Sequence, residues 1–212
     1  MACPFCQSSS TGSTVYPKMS FNNKLFEYRR CKNCALDYLD PLPVADDYLA
    51  MYPPSYQGDS TDSSILPDIY QKMPGLRFSY GYQFDLVKKN SVANPKILDY
   101  GCGNGHFIAN AIARNFVCDG AEFSAAYVNV LKTSFPKSSF FTIDEILSGQ
   151  FHRKYDVIRL SNVLEHLTTP GDVIRSLMQH LNPGGVLLVE GPVEGNFNLA
   201  ASFRKGYFGV QR

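Results

Sequence analysis

The chain has 212 residues with 44% hydrophobic and 18% charged side chains, which is enough for one α/β domain and a small additional module. Its formal net charge of +1 gives no general attraction to nucleic acid or to an anionic membrane surface. No apolar run approaches the length of a membrane-spanning helix and the opening segment MACPFCQSSS lacks the basic and apolar regions of a signal peptide, so we expect a cytoplasmic protein with no membrane partner.

Two C-x-x-C pairs define the first predicted module, which covers residues 1–40. The pairs are Cys3 with Cys6 and Cys31 with Cys34, and 24 residues separate them. Four thiolates presented by two tight turns suit a structural zinc site without an open position for catalysis. Residues 14–16 and 25–30 favour the short strands of a zinc ribbon. An iron–sulfur site and two redox-active pairs are the alternatives.

Residues 41–94 are predicted to form a linker and a helical lid. Apolar spacing favours a short helix over residues 46–52 and a longer one over residues 75–90. Residues 57–64 are polar and offer little to bury, so we expect them to be mobile. Six tyrosines stand in this segment, at positions 48, 52, 56, 70, 80 and 82. They either pack against the main domain or cover a bound ligand.

The stretch KILDYGCGNGHF, residues 96–107, predicts a buried strand, a glycine turn and the start of a helix. Gly101, Gly103 and Gly105 take alternate positions in the turn, where a ligand can approach bare backbone. Asp99 precedes the first glycine by two residues, and the third glycine comes one residue earlier than in the dinucleotide fingerprint. A glycine-rich turn in some other α/β protein is the alternative.

From residue 95 onward predicted strands and helices alternate, which is typical of a parallel sheet with crossover helices. The predicted strands after the first one cover residues 116–122, 139–143, 155–160 and 186–190. The predicted helices cover residues 106–113, 124–135 and 170–181. Residues 182–185, Asn-Pro-Gly-Gly, predict a turn.

Glu122 ends the second predicted strand 21 residues after Gly101 (122 − 101). A carboxylate at about this distance from a glycine turn accepts the ribose hydroxyls of a nucleoside in dinucleotide-binding folds. A solvated acid at the end of a strand is the alternative. The agreement of strand, spacing and glycine turn favours the nucleoside.

The order of motifs resembles that of the class I S-adenosylmethionine-dependent methyltransferases, in their ubiquinone-biosynthesis-like form. The pattern D-x-G-x-G-x-G, the spaced acid, the segment YDVIRLSNVLEHLTTP and the turn LNPGGVLLVE follow one another as in that family, over about residues 95–190. The resemblance implies a doubly wound, Rossmann-like α/β sheet in the domain of residues 95–212. It also implies S-adenosylmethionine as the cofactor.

The resemblance further implies a set of cofactor-binding positions. The turn would lie along the methionine part, Phe123 beside the adenine, and Asn162 near the methyl group. Asp144 would bind the adenine amino group, or else cap a helix that begins at Glu145. The implied positions are Asp99, Tyr100, Gly101, Cys102, Gly103, Gly105, Glu122, Phe123, Asp144 and Asn162.

An E-H pair follows the fourth predicted strand. By the resemblance, Glu165 and His166 would face the acceptor, and His166 is the best-placed general base. A histidine packed at a helix start and bonded to backbone is the alternative, since family members with this pair do not all use it in catalysis.

The family sheet has seven strands, and the last two form an antiparallel hairpin after another helix. Only 22 residues follow Glu190 (212 − 190), too few for a helix and two strands of usual length. We therefore expect a carboxyl-terminal segment to be missing. Without the hairpin, the fifth strand would be a bare edge.

These patterns predict methyl transfer from S-adenosylmethionine to an oxygen, nitrogen or carbon of a small-molecule acceptor. The four-cysteine module is similar to that of predicted methyltransferases for sugars and polysaccharide precursors, which implies an acceptor of this class. One alternative is an RNA methyltransferase, and another is a non-catalytic scaffold with the same fold. The basic residues that slightly favour RNA are Lys18, Lys24, Arg29, Arg30 and Lys32.

Overall fold

The computed structural model describes residues 1–51, 80–191 and 209–211. The chain divides into two compact units, Met1–Asp59 with His166–Arg175, and Ser60–Glu165 with Ser176–Arg212. The boundaries predicted at residues 40 and 94 stay predictions. The polar segment 57–64 and the beginning of the helix predicted at 75–90 lie outside the described residues.

The first unit contains a small antiparallel sheet in which one long strand pairs with three short ones. The long strand is β3, and it corresponds to the strand predicted at 25–30. A short helix, α1, follows the sheet. The elements are β1 (Thr11–Ser13), β2 (Met19–Phe21), β3 (Lys24–Cys31), β4 (Asp37–Asp40) and α1 (Ala45–Met51).

The strand predicted at residues 14–16 is wrong, because β1 lies three residues earlier and pairs with Arg29–Cys31. Thr14 directly follows the strand. Its hydroxyl donates to the carbonyl of Tyr28 at 3.2 Å and accepts from the N–H of Tyr16 at 3.4 Å. A threonine hydroxyl that bonds nearby backbone in this way competes with the strand ladder.

Asp47 is a buried carboxylate that connects α1 to the β2–β3 hairpin. Lys24 donates to both carboxylate oxygens at 2.8 Å, the N–H of Val44 donates at 2.9 Å, and the amide of Asn22 donates at 3.0 Å. These donors, Lys24 first, lower the pKa of Asp47 to about 2. The ionised form is therefore the one that stabilises the first unit.

We expect Asp47→Asn to lower the free energy of unfolding of the first unit at neutral pH. The folded-state pKa of about 2 lies below the unfolded value of 3.8, so this contribution is present above about pH 4 and is lost as the pH falls toward 2. The difference in urea stability between wild type and variant should shrink in that window. Asp46→Asn, on the same helix but exposed, is the control, and a pH-independent difference for Asp47→Asn would contradict the assignment.

The second unit contains a six-stranded sheet of order β10-β9-β8-β5-β6-β7. Strands β5 to β9 run parallel, and β10 is antiparallel to β9. The predicted α/β class with a parallel sheet is confirmed. The strands are β5 (Lys96–Tyr100), β6 (Val117–Glu122), β7 (Phe140–Thr142), β8 (Tyr155–Ser161), β9 (Leu181–Glu190) and β10 (Gly209–Gln211).

The remaining helices follow the predicted alternation. They are α2 (Gly81–Asn90), α3 (His106–Ala113), α4 (Ala125–Ser134), α5 (Ile143–Leu147), a 3-10 helix (Leu164–His166) and α6 (Pro170–Met178). One apolar cluster connects α2, α3 and α4 to the sheet through Phe84, Phe107 and Leu131. No helix in the described part of the chain is long and apolar enough to cross a membrane.

The central strand β5 sits where the strand order reverses, between β6 and β8. Its residues Ile97 and Leu98 are fully buried. Neighbouring residues of a strand face opposite sides, so both faces of the sheet are covered here, as in doubly wound folds. Ligands of such sheets bind at the carboxyl ends of the strands beside this reversal.

The third predicted strand ends at Thr142, one residue earlier than expected, and Asp144 does not cap the following helix. The hydroxyl of Thr142 accepts from the N–H of Glu145 at 3.2 Å, and the carboxylate of Glu145 accepts from the N–H of Thr142 at 2.6 Å. This reciprocal capping box begins α5 at Ile143.

The predicted turn at residues 182–185 is wrong, because these residues belong to β9, and α6 ends at Met178 rather than at residue 181. Tyr155 pairs with Leu181 and Val157 with Val186, so the four residues form an irregularity within the pairing of β8 and β9. The left-handed φ of +76° at Gly184 is the turn-like feature that the sequence indicated.

The expectation of a bare edge at the fifth strand is also wrong. Residues 209–211 form β10 and pair with Leu187–Val189 of β9. Their backbone groups occupy the hydrogen-bonding positions that an exposed edge would present.

Candidate active site

In the glycine turn after β5, neighbouring side chains leave no room for a Cβ atom at two of the glycines, and the third glycine faces open space. All three have left-handed φ angles, +75° at Gly101, +51° at Gly103 and +77° at Gly105. A Cβ atom on Gly101 would lie 2.5 Å from Cγ2 of Val163, and one on Gly105 would lie 2.8 Å from Cε2 of Phe135. A Cβ atom on Gly103 would have no described atom within 4 Å. The bare backbone at Gly103 is therefore available to a ligand.

A cavity of about 250 Å³ opens beside this turn. It is lined by the carboxyl ends of β5, β8 and β9 and by the beginnings of α2 and α3. The lining residues are Tyr80, Tyr82, Gln83, Asp99, Gly101, Cys102, Gly103, Asn104, His106, Phe107, Arg159, Ser161, Asn162 and Glu190.

The cavity brings together half of the predicted cofactor positions. Those that line it are Asp99, Gly101, Cys102, Gly103 and Asn162. Those that lie outside its lining are Tyr100, Gly105, Glu122, Phe123 and Asp144. The first group was predicted for the methionine end and the turn, and most of the second for the nucleoside, so the cavity has the position expected for the amino-acid half of the cofactor.

Asp99 is fully buried, and one of its carboxylate oxygens has no partner in the part of the chain that the structure describes. Oδ1 accepts from Nη1 of Arg159 at 2.5 Å, whereas Oδ2 has no hydrogen-bond partner among the described residues. Burial raises the pKa of Asp99, and Arg159 opposes this shift. A buried acceptor left unpaired is costly, and a ligand that donates a hydrogen bond removes the cost.

Arg159 is a residue of this site that was not predicted. It is buried in β8, and its Nε donates to Oε1 of Gln83 at 2.5 Å. The guanidinium lies 4.2 Å from the ring centroid of Phe107 and 5.5 Å from that of Tyr80. The signal in the sequence was an arginine within the otherwise apolar run VIRL of this strand, because a charge in a buried strand requires a partner.

Glu190 connects α2 to the ends of β8 and β9. Its carboxylate accepts from the hydroxyl of Tyr82, from Nε2 of Gln83 at 2.5 Å and from the hydroxyl of Ser161 at 3.0 Å. Partial burial and the bond to Glu190 raise the pKa of Tyr82 to about 12. Tyr82 therefore stays a neutral donor over the whole physiological range.

Glu122 fastens the end of β6 to the glycine turn. Its Oε2 accepts from the N–H of Gly103 at 2.9 Å and its Oε1 from the N–H of Phe123 at 2.8 Å. The side chain of Phe123 is 80% exposed, which leaves its ring accessible to a ligand.

Burial, with a smaller contribution from the charge of Asp144, raises the pKa of the buried Tyr100 to about 12.

Asn162 follows β8 with a left-handed φ of +53°, and its N–H donates to the carbonyl of Glu190 at 2.9 Å. Glu165 and His166 are exposed residues of the 3-10 helix and are not among the residues that line the cavity. Oε2 of Glu165 lies 3.7 Å from the position that a Cβ on Gly191 would take. The catalytic roles of the E-H pair stay predictions.

The four predicted metal ligands lie together in the first unit. Their Sγ atoms are all within 4.8 Å of one another, with 3.6 Å between Cys3 and Cys34 and 3.5 Å between Cys6 and Cys31. Tetrahedral zinc with Zn–S bonds of about 2.3 Å places its sulfurs about 3.8 Å apart, whereas a disulfide requires about 2.05 Å. The spacing fits a bound metal and not a disulfide.

Both C-x-x-C turns have the same backbone conformation. In each, the N–H of the first cysteine donates to the carbonyl five residues later, and the residue after the second cysteine donates back to the first cysteine. That residue is left-handed in both turns, with φ of +61° at Gln7 and at Ala35. Two matching turns that present their cysteines to one point are typical of zinc knuckles.

Comparison with known proteins identifies the family. Residues 77–211 match Methyltransf_23, a methyltransferase domain family. The match covers more than half of the chain, so the chain belongs to this family, and the domain is of the S-adenosylmethionine-dependent kind. The predicted resemblance to class I methyltransferases is confirmed at this level.

Two curated relatives are ubiquinone biosynthesis O-methyltransferases. The protein of Pasteurella multocida (strain Pm70) is 30% identical over 133 residues, covering 56% of this chain and 53% of the relative. That of Marinobacter nauticus (strain ATCC 700491 / DSM 11845 / VT8) is 31% identical over 121 residues, covering 54% and 49%. The chain thus spans about half the length of these relatives. A solved neighbour is the plantazolicin methyltransferase BpumL in complex with SAH, with 19% identity, a TM-score of 0.49 and coverage of 67% of this chain and 56% of that one.

Proposed function

We propose that the protein transfers the methyl group of S-adenosylmethionine to a small-molecule acceptor. Two observations at the end of β5 carry the proposal together. Asp99 Oδ2 has no hydrogen-bond partner among the described residues, and the backbone at Gly103 is open to a ligand. This surface suits an ammonium-bearing ligand that lies against main chain. A scaffold without affinity for the cofactor would leave this buried oxygen without a hydrogen-bond donor from a ligand, at a cost in stability.

The chemistry requires alignment more than functional groups. S-adenosylmethionine supplies an electrophilic methyl group on its sulfonium, so the protein has to orient the two reactants and exclude water. Asp99 and the turn would hold the amino-acid half of the cofactor. Glu122, at the end of β6 and bonded to the turn at Gly103, would accept the ribose hydroxyls. Phe123 would provide a surface for the adenine, and Asp144 would bind the adenine amino group.

The acceptor side is formed by polar groups near the ends of β8 and β9. Asn162, at the cavity wall, would be near the transferred methyl group. His166 is proposed as the general base for a weakly nucleophilic acceptor, with Glu165 beside it. Both positions are exposed, as an acceptor arriving from solvent requires.

The proposed acceptor is a hydroxylated small molecule, a sugar or a polysaccharide precursor. The resemblance of the four-cysteine module supports this class. The relatives named for ubiquinone biosynthesis are O-methyltransferases, which supports oxygen as the target atom. A phenolic acceptor is the alternative within the same chemistry.

RNA is a less favoured acceptor. Four of the five basic side chains that favoured it have carboxylate partners within the first unit, so little uncompensated positive charge is left for phosphates. The pairs are Lys18 with Glu27, Lys24 with Asp47, Arg29 with Glu27 and Asp40, and Arg30 with Asp37. Micromolar, salt-dependent binding of RNA in a mobility-shift assay would restore the RNA alternative.

We further propose that the four cysteines hold a structural zinc ion. A cluster of four thiols with metal-like spacing supports this. Zinc held by four thiolates has no open position, so it stabilises the first unit and takes no part in methyl transfer.

The test is isothermal titration of S-adenosylmethionine into zinc-loaded protein. We expect a micromolar dissociation constant that weakens at least about tenfold in Glu122→Ala, since each 1.4 kcal/mol of lost interaction is tenfold. Asp85→Ala, which removes an exposed carboxylate of α2, is the control and should bind normally. Absence of binding to the folded wild-type chain would refute the proposed enzyme and favour the scaffold.

A further inference from the structure

We propose that Arg159 binds the carboxylate of the amino-acid half of S-adenosylmethionine. The proposal rests on the proposed function, and it adds a ligand-binding residue outside the predicted set. It also predicts that the site binds S-adenosylmethionine more tightly than an analogue without that carboxylate, because the analogue would make no bond to Arg159.

Arg159 is the only lysine or arginine among the described residues that line the cavity. Two carboxylates, Asp99 and Glu190, line it as well. A further carboxylate brought in by a ligand would be repelled by both, and these two repulsions are strong where little water screens them. The guanidinium is therefore the group beside which a ligand carboxylate is stabilised.

The guanidinium is held in a fixed position before any ligand arrives. Its Nε and Nη1 are used by Gln83 and Asp99, and the plane lies against Phe107 at 4.2 Å. Among the described residues, no bond is made by the Nη2 group. Because the planar fork presents several donors at fixed angles, its remaining N–H groups are suited to a carboxylate in the same cavity.

The Asp99–Arg159 pair presents the two charges that an α-amino acid requires. The unpartnered Oδ2 of Asp99 accepts from the ammonium, and the remaining donors of Arg159 bind the carboxylate attached to the same carbon. If Arg159 merely neutralised Asp99, the ion pair alone would be enough and the ligand's carboxylate would gain no favourable contact in the cavity. The two roles therefore differ in which ligand they favour.

The experiment compares three probes by isothermal titration into the zinc-loaded chain. S-adenosylmethionine carries the ammonium and the carboxylate, decarboxylated S-adenosylmethionine keeps the ammonium and the sulfonium but lacks the carboxylate, and 5′-methylthioadenosine lacks the amino-acid part and the sulfonium charge. We expect wild type to prefer S-adenosylmethionine over the decarboxylated probe by roughly ten- to hundredfold, the usual worth of hydrogen bonds to a charged group. Arg159→Gln should abolish this preference.

Three further measurements complete the test. Arg159→Lys keeps the charge beside Asp99 and should retain only part of the preference, which also covers the case that Arg159→Gln does not fold. Arg175→Gln, at an exposed arginine, should behave as wild type. Binding of 5′-methylthioadenosine should be the same in wild type and in the Arg159 variants, since it reports on the nucleoside part alone.

The outcomes separate the two proposals. An undiminished preference for S-adenosylmethionine in Arg159→Gln, or in Arg159→Lys where Arg159→Gln does not fold, would overturn the role of Arg159 while the cofactor assignment stood. Equal affinity of wild type for S-adenosylmethionine and its decarboxylated form would overturn it as well. Failure of all three probes to bind folded wild type would refute the proposed function itself.

Discussion

Gly103→Ala is expected to weaken binding of S-adenosylmethionine at least about tenfold while the domain stays folded. The added methyl group would enter the space beside the cavity, where no described atom lies within 4 Å. A methyl group forced against a bound ligand costs roughly 1–3 kcal/mol. The left-handed φ of +51° adds a backbone cost for alanine of about 1–2 kcal/mol, which the folded domain pays whether or not ligand is bound. Isothermal titration and urea unfolding measure the two effects separately.

Two further glycines provide matched controls for this prediction. Gly149 has a φ of +74° and no neighbour within 4 Å, and it does not line the cavity, so Gly149→Ala should lose similar stability and bind normally. Gly101→Ala should destabilise the domain more than either, because its Cβ would overlap Cγ2 of Val163 at 2.5 Å. Normal cofactor affinity in Gly103→Ala would contradict the placement of the cofactor against the turn.

Removal of metal from the cysteine cluster is expected to unfold the first unit. Zinc binding to small structural sites supplies roughly 10–16 kcal/mol of folding free energy, and the small sheet of β1–β4 has few buried apolar side chains of its own. Wild type should carry one zinc ion per chain by elemental analysis, and Cys31→Ser should carry none. A chelator should make residues 1–40 sensitive to protease in wild type.

Cys118→Ala is the control for the metal prediction, since Cys118 is a buried thiol of β6 outside the cluster. It should leave the zinc content unchanged. Bound iron with visible absorbance would favour the iron–sulfur site over the zinc site. A metal-free, oxidised protein with two disulfides would favour the two redox-active cysteine pairs. The same zinc content in Cys31→Ser and wild type would rule out the cluster as the metal site.

Local sequence patterns predicted most of the strands and helices of the second unit, because each pattern is contained within a few consecutive residues. The buried run ILDY predicted β5, and the glycine turn predicted the bend into α3. The order of motifs in the family then predicted that Glu122 ends β6, and in the structure its carboxylate contacts the turn there.

The features that the sequence did not predict depend on partners distant in the chain. Arg159 acquires its role from Asp99, 60 residues away, and from Gln83, 76 residues away. Residues 182–185 lie within β9 between two pairings with β8, Leu181 with Tyr155 and Val186 with Val157, and these flanking pairings outweighed the turn propensity of Asn-Pro-Gly-Gly. Thr14 was placed in a strand on propensity, but its hydroxyl bonds nearby backbone instead. At Arg159 and in β9, contacts distant in the chain outweighed a local preference, whereas at Thr14 the short-range bond from the Tyr16 N–H and the bond to the Tyr28 carbonyl did so.

The left-handed backbone at Asn162 limits which residues this position accepts. Asparagine tolerates positive φ better than most side chains, and glycine and aspartate are the nearest substitutes. Valine, isoleucine and threonine would each strain the bend after β8 and with it the bond from the Asn162 N–H to Glu190. The backbone at this part of the cavity wall therefore accepts asparagine, glycine or aspartate more readily than β-branched residues.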